Sequence, residues 1–299
     1  MCNSPIPVIV NPAAGRGRAS NNIATLKSLL LANEIDHEII ESRFRGDIEK
    51  QLEMRVNAGA KNVIVAGGDG SVHEAVNGVM RARNSAALGV IPIGTGNDFA
   101  KACAMPPHWE DAAILLADRI SSKAPDRRID VGQMNDRYFA NGAGIGFDAK
   151  VTLIAEKALL PIGDLAYLIA VFQAMWDGVI TPKLRIDYDR QSYDGPMLLA
   201  SINNGDWVGS MFQIAPMAKN DDGRLELVFA KPVTNWRLLC LLPKLMQGTH
   251  IGEPEIEHAT IKRCNIFASA PVPSHLDGEL QPMYSEFSIR IIESGLRLL

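Results

Sequence analysis

The strongest constraint on the fold is a strand–loop–helix unit that repeats through the N-terminal part of the chain. Each short apolar run is followed by a loop of small and polar residues and then by a helical or helix-starting segment. The apolar runs are residues 7–10, 37–41, 62–66 and 88–91. Strands that alternate with helices favour a parallel sheet with helices on both faces. The sequence therefore predicts an N-terminal α/β domain.

The pattern changes near Arg127, after which strand-like segments dominate. Helical segments interrupt them at residues 150–176 and 235–246, and Asp194-Gly195 is a typical turn signal. This half is predicted to be a mostly antiparallel β domain with inserted helices. A chain of 299 residues is long for one core, and we place the two domains at residues 1–126 and 127–286.

Composition and charge argue against several classes of protein. The 30 basic residues are outnumbered by 34 acidic ones, so no basic excess indicates a nucleic-acid partner. The four cysteines are scattered, which favours reduced thiols over a disulfide framework or a zinc site. No signal peptide is recognisable, and the apolar helical stretch at residues 165–176 is too short to span a bilayer. We therefore expect a cytoplasmic protein without a transmembrane segment.

The loop after the third apolar run carries the clearest chemical signal. It begins Gly67-Gly68-Asp69-Gly70 and opens a helix. Glycines let the backbone approach a ligand, and the N–H groups at a helix start bind anions. A carboxylate beside phosphate suits a magnesium ion, which gives Asp69 a natural role. The spacing matches neither a P-loop nor a dinucleotide fingerprint, and taken alone the loop could be a tight strand-to-helix turn.

Two other loops have the same setting. Residues 11–18 (Asn-Pro-Ala-Ala-Gly-Arg-Gly-Arg) follow the first run, and residues 92–98 (Pro-Ile-Gly-Thr-Gly-Asn-Asp) follow the fourth. The carboxyl ends of parallel strands meet at one edge, where open α/β sheets bind ligands. Thr95 offers a hydroxyl group to phosphate, and Arg16 or Arg18 could approach phosphate or a carboxylate. Alternatively, Asn97 or Asp98 could cap the next helix and the arginines could be solvated.

Taken together and in this order, the three loops resemble the catalytic domain of the diacylglycerol kinase–like lipid kinases. Further stretches match motifs of that family in the same order. They are residues 130–132 (Asp-Val-Gly), 144–149 (Gly-Ile-Gly-Phe-Asp-Ala), 203–205 (Asn-Asn-Gly), 215–218 (Ala-Pro-Met-Ala), 221–223 (Asp-Asp-Gly) and 276–279 (Leu-Asp-Gly-Glu). So many motifs in one order make the resemblance specific along the whole chain.

The resemblance implies a fold and an activity. The N-terminal α/β domain would be related to NAD kinase and phosphofructokinase, and the C-terminal domain would be an antiparallel β-sandwich whose last strand, residues 287–299, returns to the first domain. The expected activity is transfer of the γ-phosphate of Mg-ATP to a lipid hydroxyl, in phospholipid metabolism at the membrane surface. A homodimer stays open, as do a kinase for another alcohol, similar to NAD kinase, and a non-catalytic lipid- or nucleotide-binding protein.

The resemblance also assigns roles to individual residues. Glu279 would be the general base that accepts the hydroxyl proton. Asp130 is the second candidate, in a network with the basic residue at position 16, and Asp69 completes the catalytic set. The residues expected to hold the nucleotide are Asn11, Ser42, Gly67, Gly68, Asp69, Gly70, Ser71, Val72, His73 and Thr95.

A structural magnesium ion is implied in the β domain. Its ligands would be the carboxylate of Asp222 and the main-chain carbonyls of Lys219 and Arg224, because hard cations prefer oxygen. An ordinary turn is the alternative. The helical segment from Val151 to Trp176 could expose apolar surface for lipid entry, although a stripe of this kind is more often core.

Overall fold

The computed structural model describes residues 4–157 and 164–299. The chain divides into two compact units, of which the first runs to Ile129 and also includes Ser294–Leu299. The second unit is Asp130–Glu293. The assignment of nucleotide binding to residues 1–126 with 287–299, and of lipid binding to residues 127–286, stays a prediction.

The first unit consists of alternating strands and helices. Its elements are β1 (Ile6–Val10), α1 (Arg18–Ala32), β2 (His37–Glu41), α2 (Asp47–Asn57), β3 (Asn62–Gly67), α3 (Asp69–Arg81), β4 (Ala87–Pro92), α4 (Asp98–Ala102) and α5 (Trp109–Ser121). The strands form a parallel sheet in the order β2-β1-β3-β4. The end of the last strand of the chain, β16 (Tyr284–Leu298), adds to this sheet by pairing in parallel with β4.

Helices cover both faces of this sheet. On one face, Leu26 of α1 and Leu116 of α5 pack with Val8 and Ile64 of the strands. Ile9 and the other alternate residues of the strands point to the opposite face, where α2 and α3 contact β1 and β3. All of these strand residues are fully buried. The alternation of strand and helix along the sequence thus gives a parallel sheet with helices on both faces, as predicted.

In its described residues, the second unit is built from antiparallel sheets and three helices. Its elements are β5 (Arg127–Met134), which begins in the first unit, β6 (Arg137–Phe139), β7 (Gly142–Gly146), α6 (Phe147–Lys157), α7 (Asp164–Trp176), β8 (Lys183–Tyr188), β9 (Gln191–Pro196), β10 (Leu199–Asn203), β11 (Leu225–Ala230), α8 (Asn235–Met246), β12 (Ile256–Ile261), β13 (Arg263–Val272), β14 (Ser274–Leu276), β15 (Glu279–Leu280) and most of β16. One sheet has the order β12-β11-β10-β7-β14-β15, and the other contains β16, β13, β8 and β9.

The two sheets share one apolar core, as a β-sandwich requires. Ile145, Ile202 and Leu227 from the first sheet lie in the same buried cluster as Ile186 and Phe287 from the second. Helices α6, α7 and α8 form a second cluster against the other side of the six-stranded sheet. The prediction of an α/β domain followed by an antiparallel β-sandwich domain is therefore confirmed.

The sequence also predicted a helical segment at residues 150–176, reduced cysteines and no transmembrane segment. The helical segment predicted at residues 150–176 covers α7 and all but the first three residues of α6, and its residues 158–163 lie outside the described residues. Cys2 also lies outside them, whereas Cys103 and Cys264 are buried and Cys240 is exposed. Within residues 4–157 and 164–299, no helix has both the length and the apolar character needed to cross a bilayer.

The sandwich core gives a stability prediction. Phe287 is 1% exposed and neighbouring Phe267 is 39% exposed, although both lie on paired strands. Phe287→Ala should lower the free energy of unfolding by about 3–5 kcal/mol, because it leaves a cavity in the core. Phe267→Ala, the matched control, should cost less than about 1 kcal/mol. Urea unfolding measures both, and equal losses for the two variants would contradict this packing.

Candidate active site

The glycine loops of the first unit lie side by side because the register of the parallel strands aligns their ends. The N–H of Asn11, after β1, donates to the carbonyl of Ala66 in β3 at 3.0 Å. The N–H of Ser42, after β2, donates to Val10 at 2.8 Å, and that of Ile93, after β4, donates to Gly67 at 2.9 Å. The sheet therefore brings all four loops to its carboxyl edge, as predicted for the loops after β1, β3 and β4.

The loops after β3 and β4 touch through their backbones at Gly68 and Gly94. A Cβ atom at position 94 would lie 2.5 Å from the Cα atom of Gly68, and one at position 68 would lie 3.1 Å from the Cα atom of Gly94. A side chain at position 94 would overlap with Gly68 and with the Oδ1 atom of Asn97, and one at position 68 would be tight against Gly94. The contact explains why the loop after β4 carries glycine at this point, and it brings the main-chain groups of the two loops together.

The loop after β1 is fixed to the other two by polar contacts. The side-chain amide of Asn11 donates to the hydroxyl of Ser71 at 3.0 Å. Arg18 donates from its guanidinium group to the carbonyls of Gly94 at 3.0 Å and of Gly15 at 3.1 Å. A Cβ atom at position 15 would lie 2.3 Å from the carbonyl oxygen of Ile93. Arg18 therefore supports the loops although it is exposed, and Arg16 is exposed as well.

Asp69 connects the starts of two helices. It is the first residue of α3, and its Oδ1 atom accepts the N–H of Phe99 in α4 at 3.2 Å. Asn97 does not cap α4 with its side chain, since its Oδ1 atom instead accepts the N–H of Gly94 at 3.0 Å. Asp98 forms an ion pair with Lys101 at 3.3 Å. The carboxylate of Asp69 thus lies where the loops after β3 and β4 meet.

The residues predicted to bind the nucleotide differ in their exposure to solvent. Ser71, Val72 and His73 are buried in α3, whereas Gly68, Asp69 and Gly70 are partly exposed and Thr95 is exposed. A ligand approaching this edge would meet the main chain of the glycine loop and the hydroxyl of Thr95 before the side chains of α3.

Glu74, in α3 after the glycine loop, has a structural role that the sequence did not reveal. Its carboxylate accepts the N–H of Gly46 at 2.7 Å and that of Ile48 at 3.1 Å, at the start of α2. A carboxylate at a helix N-terminus is favourable because it satisfies free N–H groups and opposes the helix dipole. The acidic residue in the sequence Val-His-Glu-Ala was the available signal.

A cleft of about 120 Å³ opens next to the loops. It lies between the starts of α1 and α5, and its polar lining includes Arg18, Asn22, Asn97 and His108, with Trp109 at one side. The cleft shares Gly94 with the glycine contact. It is therefore continuous with the edge of the sheet that carries the predicted nucleotide residues.

The predicted general base lies on a hairpin of the second unit. Asp277 and Gly278 form the two-residue turn between β14 and β15, with φ angles of +50° and +85°, as an Asp-Gly type I′ turn requires. Glu279 follows directly and is partly exposed. The carboxylate of Asp277 accepts the N–H groups of Ala140, Asn141 and Gly142 at 3.0, 2.8 and 2.9 Å.

Asp130 and the predicted magnesium ligands form one local structure in the second unit. Asp130 is 2% exposed, its Oδ2 atom accepts the N–H of Gly223 at 2.7 Å, and its own N–H donates to Asn220 at 2.7 Å. Asp222 is exposed, and its Oδ1 atom accepts the N–H of Arg224 at 3.0 Å. Asp130 therefore fixes the loop in which Asp222 lies.

The donors in this loop fit a hard cation by their chemistry. An exposed carboxylate with two main-chain carbonyls, those of Lys219 and Arg224, offers only oxygen. Among the described residues, no three His, Cys, Asp or Glu side chains are grouped as metal ligands, and the site implied here would have a single carboxylate. The magnesium site stays a prediction.

Comparison with known families covers nearly the whole chain. Residues 5–134 match the diacylglycerol kinase catalytic domain, and residues 142–298 match the YegS C-terminal NAD kinase beta sandwich-like domain. A diacylglycerol kinase of Staphylococcus epidermidis is 31% identical over 235 residues, which cover 78% of this chain and 72% of that protein. The chain belongs to the diacylglycerol kinase family.

Other members of the diacylglycerol kinase family are similar over greater lengths. The enzyme of Bacillus subtilis is 28% identical over 273 residues, 91% of this chain and 88% of that protein. A crystal structure of a candidate diacylglycerol kinase from Bacillus anthracis superposes with a TM-score of 0.81 at 26% identity, covering 100% of this chain and 97% of that one. Membership of this family makes the chain a phosphotransferase with an alcohol group as acceptor, and it is thus a kinase.

The glycine contact gives a prediction for this kinase. Gly94→Ala should separate the two loops and cost about 1–3 kcal/mol through overpacking. Amide exchange in residues 67–71 should increase as well. Gly17→Ala is the matched control, because it has no neighbour within 4 Å and brings only left-handed backbone strain of about 1–2 kcal/mol. Unchanged exchange in residues 67–71 of Gly94→Ala would contradict the contact.

Proposed function

We propose that this kinase transfers the γ-phosphate of Mg-ATP to the hydroxyl group of diacylglycerol or a related lipid. The observation that carries the proposal is the backbone contact between Gly68 and Gly94, which gathers main-chain groups of two loops at the carboxyl edge of a parallel sheet. Main-chain N–H groups at such an edge suit the phosphates of a nucleotide. The names of the relatives support a lipid as the acceptor.

In this proposal the residues of the first unit hold the phosphate chain. The glycine loop starting at Gly67 and the hydroxyl of Thr95 bind it, and Asn11 keeps the loop in place through Ser71. Asp69 would hold the magnesium ion. Magnesium, when bound, neutralises charge on the phosphates as the γ-phosphoryl group is transferred.

Glu279 is the proposed general base of the second unit. Phosphoryl transfer to an alcohol needs an acceptor for the hydroxyl proton, and Glu279 is partly exposed on a turn that is held at Asp277. Asp130 is less suited to this role, because its carboxylate is 2% exposed and accepts a main-chain N–H from Gly223. Its contacts favour a structural role in the Asp222 loop.

Contact with the membrane surface is part of the proposal. On and just after α7, Phe172 is 47% exposed, Trp176 is 91% exposed and Ile180 is 70% exposed. Large apolar and aromatic side chains in water favour a lipid interface. This exposure supports peripheral binding to a membrane from which the lipid substrate is taken.

Two substitutions test the catalytic roles. Glu279→Gln should lower kcat by about 10²–10⁴-fold, because no carboxylate accepts the proton. Asp69→Ala should lower kcat and weaken magnesium dependence, because the ion loses a ligand. Exposed residues of the same types provide controls that should keep normal kcat, namely Glu286→Gln and Asp118→Ala. Near-normal turnover by folded Glu279→Gln would refute the general-base role.

Transfer of labelled phosphate from ATP tests the substrate class. We expect labelling of one member of a panel of diacylglycerol, phosphatidylglycerol, sphingosine and ceramide in mixed vesicles. Labelling of NAD or another soluble alcohol instead would favour a kinase similar to NAD kinase. Nucleotide or lipid binding without any transfer would indicate a non-catalytic protein.

A further inference from the structure

A buried pair of ionisable side chains lies at the base of the hairpin that carries Glu279. His275 of β14 is 3% exposed and Asp148 of α6 is 8% exposed, and their Nε2 and Oδ2 atoms are 3.0 Å apart. The hydroxyl of Tyr167 donates to the Oδ1 atom of Asp148 at 3.0 Å. Neither His275 nor Tyr167 has a role in the mechanism proposed above.

The main chain around the pair leaves room for it. Gly144 of β7 lies opposite His275 in the sheet. A Cβ atom at position 144 would lie 2.3 Å from both Asp148 Oδ2 and His275 Nε2. The glycine in the motif Gly-Ile-Gly-Phe-Asp is thus required for the carboxylate and the imidazole to meet.

The contacts of His275 define its protonation state. Its Nδ1 atom lies 3.2 Å from the main-chain nitrogen of Gly278. An N–H group can only donate, so Nδ1 must be the unprotonated acceptor, and Nε2 must carry the proton that it donates to Asp148. Asp148 therefore selects the tautomer in which His275 can hold Gly278.

The acidity of the pair agrees with a strong mutual interaction. Burial raises the pKa of Asp148, but the imidazole of His275 and the hydroxyl of Tyr167 lower it by more, so that the net pKa is lowered. Burial lowers the pKa of His275, but the carboxylate of Asp148, with smaller contributions from Asp277 and Glu279, raises it by more, so that the net pKa is raised. In the charged form of His275, Nδ1 carries a second proton and cannot accept the N–H of Gly278. The contact with Gly278 therefore disfavours the charged form.

Stability alone is a poor explanation for this arrangement. Buried ionisable pairs lose hydration, and apolar residues of similar volume are often as stable or more stable. Here the imidazole connects a helix to the residue immediately before Glu279. Together with Asp277, which accepts three N–H groups from residues 140–142, it fixes both residues of the turn.

We infer that His275 is a positioning residue for Glu279, with Asp148 fixing its tautomer and His275 fixing the main chain at Gly278. The inference rests on the proposed role of Glu279 as general base. Loss of the acceptor at Nδ1 frees the turn, and the carboxylate of Glu279 then occupies its reactive position for a smaller fraction of the time.

A pair of substitutions at position 275 separates positioning from simple packing. His275→Asn keeps an acceptor near the place of Nδ1, whereas His275→Gln keeps a donor near the place of Nε2 but offers Gly278 no acceptor. We expect His275→Gln to lose about 10–100-fold in kcat at unchanged KM for ATP, because misplacement of a reacting group has costs of this size. His275→Asn should retain at least several-fold more activity, and a purely structural link to Asp148 would give the reverse order.

Asp148→Asn is the conservative control. Its amide oxygen can accept the Nε2–H of His275 while its amide nitrogen donates to Tyr167, so kcat should stay close to normal. In hydrogen exchange, the amide of Gly278 should lose protection in His275→Gln and keep it in Asp148→Asn. Unchanged protection in His275→Gln, or a kcat for Asp148→Asn as low as that of His275→Gln, would overturn the inference.

Spectroscopy of the wild-type protein decides the matter even if the position 275 variants do not fold. Nitrogen NMR of ¹⁵N-histidine-labelled protein in mildly alkaline buffer should show His275 with a protonated Nε2 and an unprotonated Nδ1, and the opposite tautomer or an imidazolium overturns the inference. These readouts need no catalysis. If Glu279→Gln were active, the proposed general base would be refuted, but the contact between His275 and Gly278 could still be measured by these readouts.

Discussion

The close approach of Gly68 and Gly94 is the constraint on which the candidate site depends. The two strand-to-helix loops approach this closely because position 94 has no Cβ atom, and a Cβ atom at position 68 would also be tight. Asp69 then reaches the N–H of Phe99 across the same junction, and Arg18 donates to the carbonyl of Gly94 from the loop after β1. One steric condition thus sets the positions of a carboxylate, a hydroxyl-bearing loop and several main-chain groups.

In the second unit, the turn before Glu279 is held by side-chain hydrogen bonds and not by a contact between glycines. Glu279 lies beside a two-residue turn, which is a flexible place for a reacting group. The carboxylate of Asp277 satisfies three N–H groups of the neighbouring chain, and the imidazole of His275 accepts the N–H of Gly278. The N–H groups of residues 140–142 belong to the main chain and His275 is buried, so both have little freedom to move. The turn that they contact is therefore rigid as well.

Much of the fold could be predicted because its signals are local. Alternating apolar runs and helical segments indicate a parallel sheet. The turn predicted at Asp194-Gly195 was wrong, because both residues pair with β8 within strand β9. The convergence of the loops after β1, β3 and β4 also followed, because parallel strands end at one edge. The partners of individual side chains did not follow: Glu74 reaches the start of α2, and Asp148 meets His275 across 127 positions of sequence. Such pairs depend on packing between distant segments, which no local periodicity encodes.

The sequence by itself determined the α/β and antiparallel architecture, the family, and the loops in which the chemistry lies, since backbone preferences and hydrophobic periodicity act over a few residues. Only the tertiary structure decided which polar residues are exposed and which are fixed. Arg18 holds two loops together from an exposed position, the buried carboxylate of Asp130 accepts a main-chain N–H, and His275 has a defined tautomer. Burial and hydrogen-bond geometry arise only when separate elements pack together, and they set what each ionisable group can do.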